Sequence, residues 1–221
     1  MATLLRPELG TLPRRLRALP VDARGYPVPW FVGWINGVPE FRCMDPAKWL
    51  RAVRERRCWV CGEPLGQWLA FLIGPMCAIN RTTSEPACHR ECANWSARNC
   101  PFMSRPHMVR REGGLPEDAG PGAGFPIDRN PGVGLVWVTR SFRVFNDGRG
   151  RPLIEIGPAD AVEWWSCGRP ATRAEVEESF RTGVPILAAK CEEEATVQRQ
   201  VLASEELVRR LDAARALWPV H

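Results

Sequence analysis

Cys58-Trp59-Val60-Cys61 is answered, after 27 intervening residues, by His89-Arg90-Glu91-Cys92. Two pairs of sulfur and imidazole donors at this spacing suit a tetrahedral metal site. Zinc takes four such ligands, and a structural zinc site leaves no position open for substrate. The ligand set read from the sequence is therefore Cys58, Cys61, His89 and Cys92. These four form two pairs of equal spacing, and a neutral imidazole beside three thiolates leaves a less negative site than four thiolates would. Cys88, Cys77 and Cys100 stay open as replacements for one of the downstream ligands. Zinc here is structural, and no catalytic residue is assigned.

The elements that must position these donors follow from turn and capping signals. Gly62 after Cys61 suits the backbone of a knuckle wrapped around a metal. The apolar run Trp68–Ile73 predicts a strand that Gly74-Pro75 ends, and Ser84-Glu85-Pro86 carries the signals of a helix start. His89 and Cys92, three apart, then share one face of that helix's first turns. Knuckle, strand, then a helix bearing the last two ligands is the order of a treble-clef zinc module.

Upstream, Pro29–Cys43 reads as a β-hairpin closed by Asn36-Gly37, which supplies the positive φ angles of a two-residue turn. Asp45-Pro46 reads as N-cap and first residue of a helix with Trp49, Leu50 and Val53 on its apolar face. Residues 1–27 are basic and punctuated by proline, and read as a solvated arm with at most a short helix near Leu12–Leu19. Downstream, glycine and proline crowd residues 113–133, which reads as a linker between a part spanning 1–112 and one spanning 134–221. Leu135–Thr139, Phe142–Phe145, Leu153–Ile156 and Ala161–Trp165 predict strands, with a turn at Asn146-Asp147-Gly148. Thr172-Arg173-Ala174-Glu175 is a capping box opening a helix that Gly183 and Pro185 are expected to stop. Val197, Val201, Leu207, Leu211 and Ala214 predict an amphipathic helix in the segment Ala188–Leu217, able to pack on its own chain or pair with a second copy. The fold class is α+β: a treble-clef zinc module set between an N-terminal hairpin and helix and a C-terminal antiparallel strand-rich part with a long terminal helix.

Composition bounds the function. The chain has 221 residues and a net charge of +5, and 28 of its 30 basic residues are arginine. That charge permits an acidic partner without requiring one. No apolar run approaches a membrane span, and the first residues lack a signal-peptide core, so a cytoplasmic protein is expected. Nine cysteines is an odd number, which argues for metal binding over a disulfide framework. Gly120-Pro121-Gly122-Ala123-Gly124 lacks the ending of a phosphate loop, and no Gly-x-Ser-x-Gly elbow occurs. A thioredoxin-like use of Cys58 and Cys61 would need a strand before them and a helix after them, and the pattern supplies neither.

Two binding surfaces are candidates. Arg81, Arg90, Arg98, Arg105, Arg110 and Arg111 could contact nucleic acid, with Trp95 and Phe102 nearby. Trp164 and Trp165 are adjacent in a strand and so face opposite ways, which would expose one of them as partner surface.

The treble clef also carries the HNH nucleases, and that resemblance implies a general-base histidine on the strand after the knuckle. The matching stretch, Phe71-Leu72-Ile73-Gly74-Pro75-Met76, contains none. Beyond His89 the chain has only His107 and His221, and Asn80, which matches the family's asparagine, cannot replace a base. Tyr26-Pro27-Val28-Pro29-Trp30, Cys58–Gly66, Gly74-Pro75-Met76, Cys88-His89-Arg90-Glu91-Cys92-Ala93 and Asn130-Pro131-Gly132 together resemble an uncharacterised family of bacteriophages, prophages and GC-rich proteobacteria. The resemblance implies a phage or mobile-element context and no activity. The function expected is a zinc-stabilised, non-enzymatic binding protein acting on a host or phage protein or on nucleic acid. A nuclease, or a DNA- or RNA-binding descendant of one, is the alternative.

Overall fold

The computed structural model describes residues 4–105, 131–147, 150–194 and 197–220. Most of the expected linker, His107, Arg110, Arg111 and His221 lie outside them. The fold is α+β, with antiparallel strand pairing throughout.

The hairpin forms as its turn chemistry dictates. β1 (Val32–Ile35) and β2 (Val38–Met44) flank Asn36 and Gly37, whose φ angles are 50° and 77°. Asp45 then caps α1 (Pro46–Arg54), its carboxylate accepting from the amides of Ala47 and Lys48. Trp49 and Ala52 are buried on this helix, but Leu50, expected on the apolar face, is exposed.

Strands from either side of residues 113–133 join in one sheet. β5 (Gly134–Thr139) is central, paired with β3 (Leu69–Ile73) on one edge and β8 (Ala161–Ser166) on the other; β9 (Arg169–Pro170) extends the sheet. Every residue of β5 is buried, as its unbroken apolar run requires for a strand covered on both faces. A second sheet has the order β4 (Thr82–Thr83), β7 (Pro152–Ile156), β6 (Phe142–Asn146).

Three sequence expectations are corrected. The N-terminal arm is not solvated: two 3-10 turns, Pro7–Leu9 and Arg14–Leu16, bury Leu9, Leu12 and Leu16. Gly74-Pro75 ends β3 as expected and in addition starts a helix, α2 (Pro75–Asn80), with Gly74 as N-cap. Ser84-Glu85-Pro86 does not open a helix, because Cys88 exchanges both backbone hydrogen bonds with Ala70 and keeps that segment extended (2.7 and 2.8 Å). The helix starts later, as α3 (Arg90–Asn99), followed by the single turn α4 (Pro101–Ser104). Finally, α5 (Arg173–Glu194) continues through Gly183 and Pro185, and α6 (Val197–Arg215) is a separate helix.

The capping box of α5 is present: the Thr172 amide donates to the Glu175 carboxylate (2.8 Å), and the Glu175 amide to Thr172 Oγ1 (3.4 Å). Helices α5 and α6 both pack on α2, and Leu207, Leu211 and Ala214 of α6 join the chain's own core. Among the described residues no helix is long and apolar enough to cross a membrane.

Candidate metal centre

Two segments bring the four donors together. The first is the knuckle. The Cys58 amide donates to the Glu63 carbonyl and the Gly62 amide to the Cys58 carbonyl (both 2.8 Å), closing a tight turn with Gly62 at φ +76°. The second is the start of α3, where His89 is the N-cap and Cys92 lies in the first turn. Backbone bonds fix one segment to the other: the Trp59 amide donates to the Ala87 carbonyl (2.9 Å), and the Ala70–Cys88 bridge holds the chain just before His89. The Trp30 amide donates to the Val60 carbonyl (2.7 Å), so the hairpin also leans on the knuckle.

Cys58 Sγ, Cys61 Sγ, His89 nitrogen and Cys92 Sγ lie within 4.8 Å of one another, close enough to coordinate a metal ion. His89 Nδ1 is 3.4 Å from Cys61 Sγ and 3.9 Å from Cys92 Sγ. A tetrahedral ion with ordinary zinc–ligand bond lengths separates its donors by roughly 3.5–4 Å, so these contacts fit. His89 Nε2 is 3.1 Å from the Pro64 carbonyl oxygen. A proton on Nε2 donates to that oxygen, leaving Nδ1 with its lone pair turned towards the thiols. This is the outer partner that a ligating imidazole needs.

Cys58 is the electrostatic centre of the group. Its sulfur accepts from the amides of Cys61 and His89, both at 3.4 Å. Burial works against ionising this thiol, but the Cys61 and Cys92 thiols and those two amides outweigh it and pull Cys58 down to about 3. Cys92 is pushed up by its bonds to Cys58 and Cys61, with burial adding to them. Without an ion, then, Cys58 is the favoured thiolate and Cys92 keeps its proton. A dication would reverse that at Cys92, because a ligating thiol is held deprotonated.

The rival sulfurs are turned elsewhere. Cys88 is buried and donates its thiol to the Ala70 carbonyl oxygen (3.2 Å). Cys77 and Cys100 stand outside the four-donor group, and burial pushes both thiols up. Cys43, Cys58, Cys61, Cys77, Cys88, Cys92, Cys100 and Cys167 are free of disulfides. Asn80, from the nuclease alternative, accepts from the Thr82 amide at the end of α2 (2.9 Å).

The other candidate residues are dispersed. Arg81 approaches Glu155 of β7, and Arg90 bonds Glu163 of β8 (2.5 Å), so these two arginines face different sheets and each has an acidic partner. Arg98 lies over the Trp165 ring, 5.5 Å from its centroid, and Arg105 ends α4. The expectation of an exposed tryptophan at 164 or 165 is corrected. Trp164 packs edge-on against Phe180 of α5 and donates to the Leu217 carbonyl (2.8 Å), while Trp165 faces α3. Both faces of β8 are covered, and both rings are buried. Among the described residues the exposed tryptophans are instead Trp34 on the hairpin and Trp68 just before β3.

Sequence reasoning missed the charged residues that frame the centre. Arg15 bonds both Glu63 and Glu91, one from each ligand-bearing segment. Nothing local marks a pairing across so many residues. No protein-family model, curated protein or solved structure matches this chain.

Proposed function

We propose that Cys58, Cys61, His89 and Cys92 hold a structural zinc ion in a treble-clef-type module, and that the protein is a non-enzymatic binding protein. Its partner is a protein or a nucleic acid in the cytoplasm, in the setting of a phage or mobile element. The observation that carries this reading is the convergence of three sulfurs and a pre-oriented imidazole, the number and kind of donors that a tetrahedral zinc ion takes. A filled shell stabilises and leaves no metal vacancy for a reacting group. The order of knuckle, β3, extended return at Cys88 and α3 supports the treble-clef assignment, with α2 and β4 inserted between strand and return. Phage context rests on the motif resemblance alone.

His89 is the single histidine among the described residues, and its ring is committed to the thiols, which weighs against a nuclease. The test is to incubate the zinc-loaded protein with plasmid DNA and with RNA, with and without magnesium. The reading expects no cleavage. A mobility shift that fades with added salt would assign nucleic acid as the partner. Metal-dependent cleavage abolished by His107→Ala or Asn80→Ala would overturn the reading in favour of a nuclease.

A further inference from the structure

One arginine connects the N-terminal arm to the candidate metal centre. Arg15 sits in the second 3-10 turn, between the buried Leu12 and Leu16. Its Nε lies 2.8 Å from Glu91 Oε1, and its Nη1 bonds Glu63 Oε2. Glu63 follows Cys61 by two residues and Glu91 immediately precedes Cys92, so a single cation spans the two segments that carry the donors. The Cys61 sulfur also acts electrostatically on the guanidinium, after Glu63 and Glu91.

Charge makes this position consequential. Zinc held by three thiolates and a neutral imidazole is a net anion. Glu63 and Glu91 add two more negative charges at its edge. With Arg15 in place the carboxylates are bridged and the anionic centre faces a cation. Without it, three like charges are left against one another, and their repulsion pushes the knuckle away from the start of α3.

We propose that Arg15 is a positioning residue that couples docking of the N-terminal arm to occupancy of the metal centre. The coupling rests on the reading that these four donors bind zinc. It is reciprocal: the docked arm slows metal loss, and the bound metal keeps the arm docked. When zinc leaves, the two segments are no longer tied through the ion, Arg15 loses its paired acceptors, and the arm detaches, so that its backbone at the already exposed Arg14 and Arg17 can enter a protease.

The test uses the full-length zinc-loaded protein beside Arg15→Gln, Arg15→Lys and Glu91→Gln. Zinc transfer to a chromogenic chelator gives the release rate, and limited trypsin digestion reports cleavage after Arg14 and Arg17. Release is expected to be about tenfold faster in Arg15→Gln, in line with loss of an outer-shell partner. Arg15→Lys should fall between that variant and the parent. The difference should shrink in about 1 M salt, where screening removes the charge term and leaves packing untouched. In the parent protein, stripping zinc should open the sites at 14 and 17 before the rest of the chain is cut. Should Arg15→Gln fail to fold, Glu91→Gln and Arg15→Lys carry the same comparison. Parent-like release from these variants, or arm cleavage that ignores zinc, overturns the coupling alone. A parent protein that takes up no zinc overturns both the coupling and the assignment of the site.

Discussion

Gly62 lies directly under the indole of Trp30. A Cβ at position 62 would come within 2.7 Å of the Trp30 ring, and the Gly62 φ of +76° is one that L side chains rarely adopt. Space and backbone conformation thus demand glycine for two separate reasons, at the residue after the last knuckle cysteine. Gly62→Ala is expected to destabilise the protein by about 2–4 kcal/mol, combining left-handed strain with overpacking. Urea unfolding of the zinc-loaded protein measures it. Adding Trp30→Ala should recover the steric part and not the φ part, so the two changes will be non-additive.

The four-donor assignment separates the cysteines sharply. Cys58→Ser should abolish stoichiometric zinc binding and unfold the knuckle, since structural zinc sites contribute on the order of 10 kcal/mol of apparent binding energy. Cys88→Ser should keep zinc, because the Cys88 thiol faces the Ala70 carbonyl oxygen and a hydroxyl can make the same bond. Metal analysis of both variants, with far-UV circular dichroism, checks the contrast.

How much could be read in advance follows from where each signal resides. The hairpin was legible because Asn36-Gly37 sets its own dihedral angles, and α1 because Asp45 caps it within three residues. The convergence of Cys58, Cys61, His89 and Cys92 is legible because two donor pairs at this spacing are what a tetrahedral metal site requires. The start of α3 was not. Ser84-Glu85-Pro86 has every local cue for a helix, yet pairing of Cys88 with Ala70, eighteen residues away, holds the chain extended. The helix then begins at a histidine whose side chain caps nothing because it is turned to the thiols. Burial of the N-terminal arm was hidden for a similar reason: Leu9, Leu12 and Leu16 are interleaved with arginines, and only the tertiary fold shows which residues turn inward. The alternation at Trp164 and Trp165 predicts one free face, because a single strand cannot reveal that helices cover both sides of its sheet.

Glu175 links stability to acid. Its carboxylate is held down to about 2, first by the Arg169 guanidinium, which outweighs burial, and then by Thr172 and Ser166. A group depressed in this way stabilises the fold above its unfolded value near 4.5, and the contribution disappears as pH falls towards 2. Glu175→Gln should therefore be less stable than the parent at pH 6, with the difference shrinking as pH falls and closing only near pH 2. Thermal melts of both proteins across that window give the comparison, with the flatter profile expected for the variant.

Pro185 lies inside α5, where it has no amide to donate to the carbonyl one turn back. Pro185→Ala restores that donor and replaces a poor helix former with the best one. The variant should be more stable by about 1–3 kcal/mol, with a higher midpoint in urea. A lower midpoint would show that the helix does not continue past this residue.

The most direct test of the central claim is the metal content of the purified full-length protein, measured beside Cys58→Ser. The account expects about one zinc per chain in the parent and essentially none in the variant. Less than about half an equivalent in the parent after zinc loading, or undiminished zinc in Cys58→Ser, would contradict it.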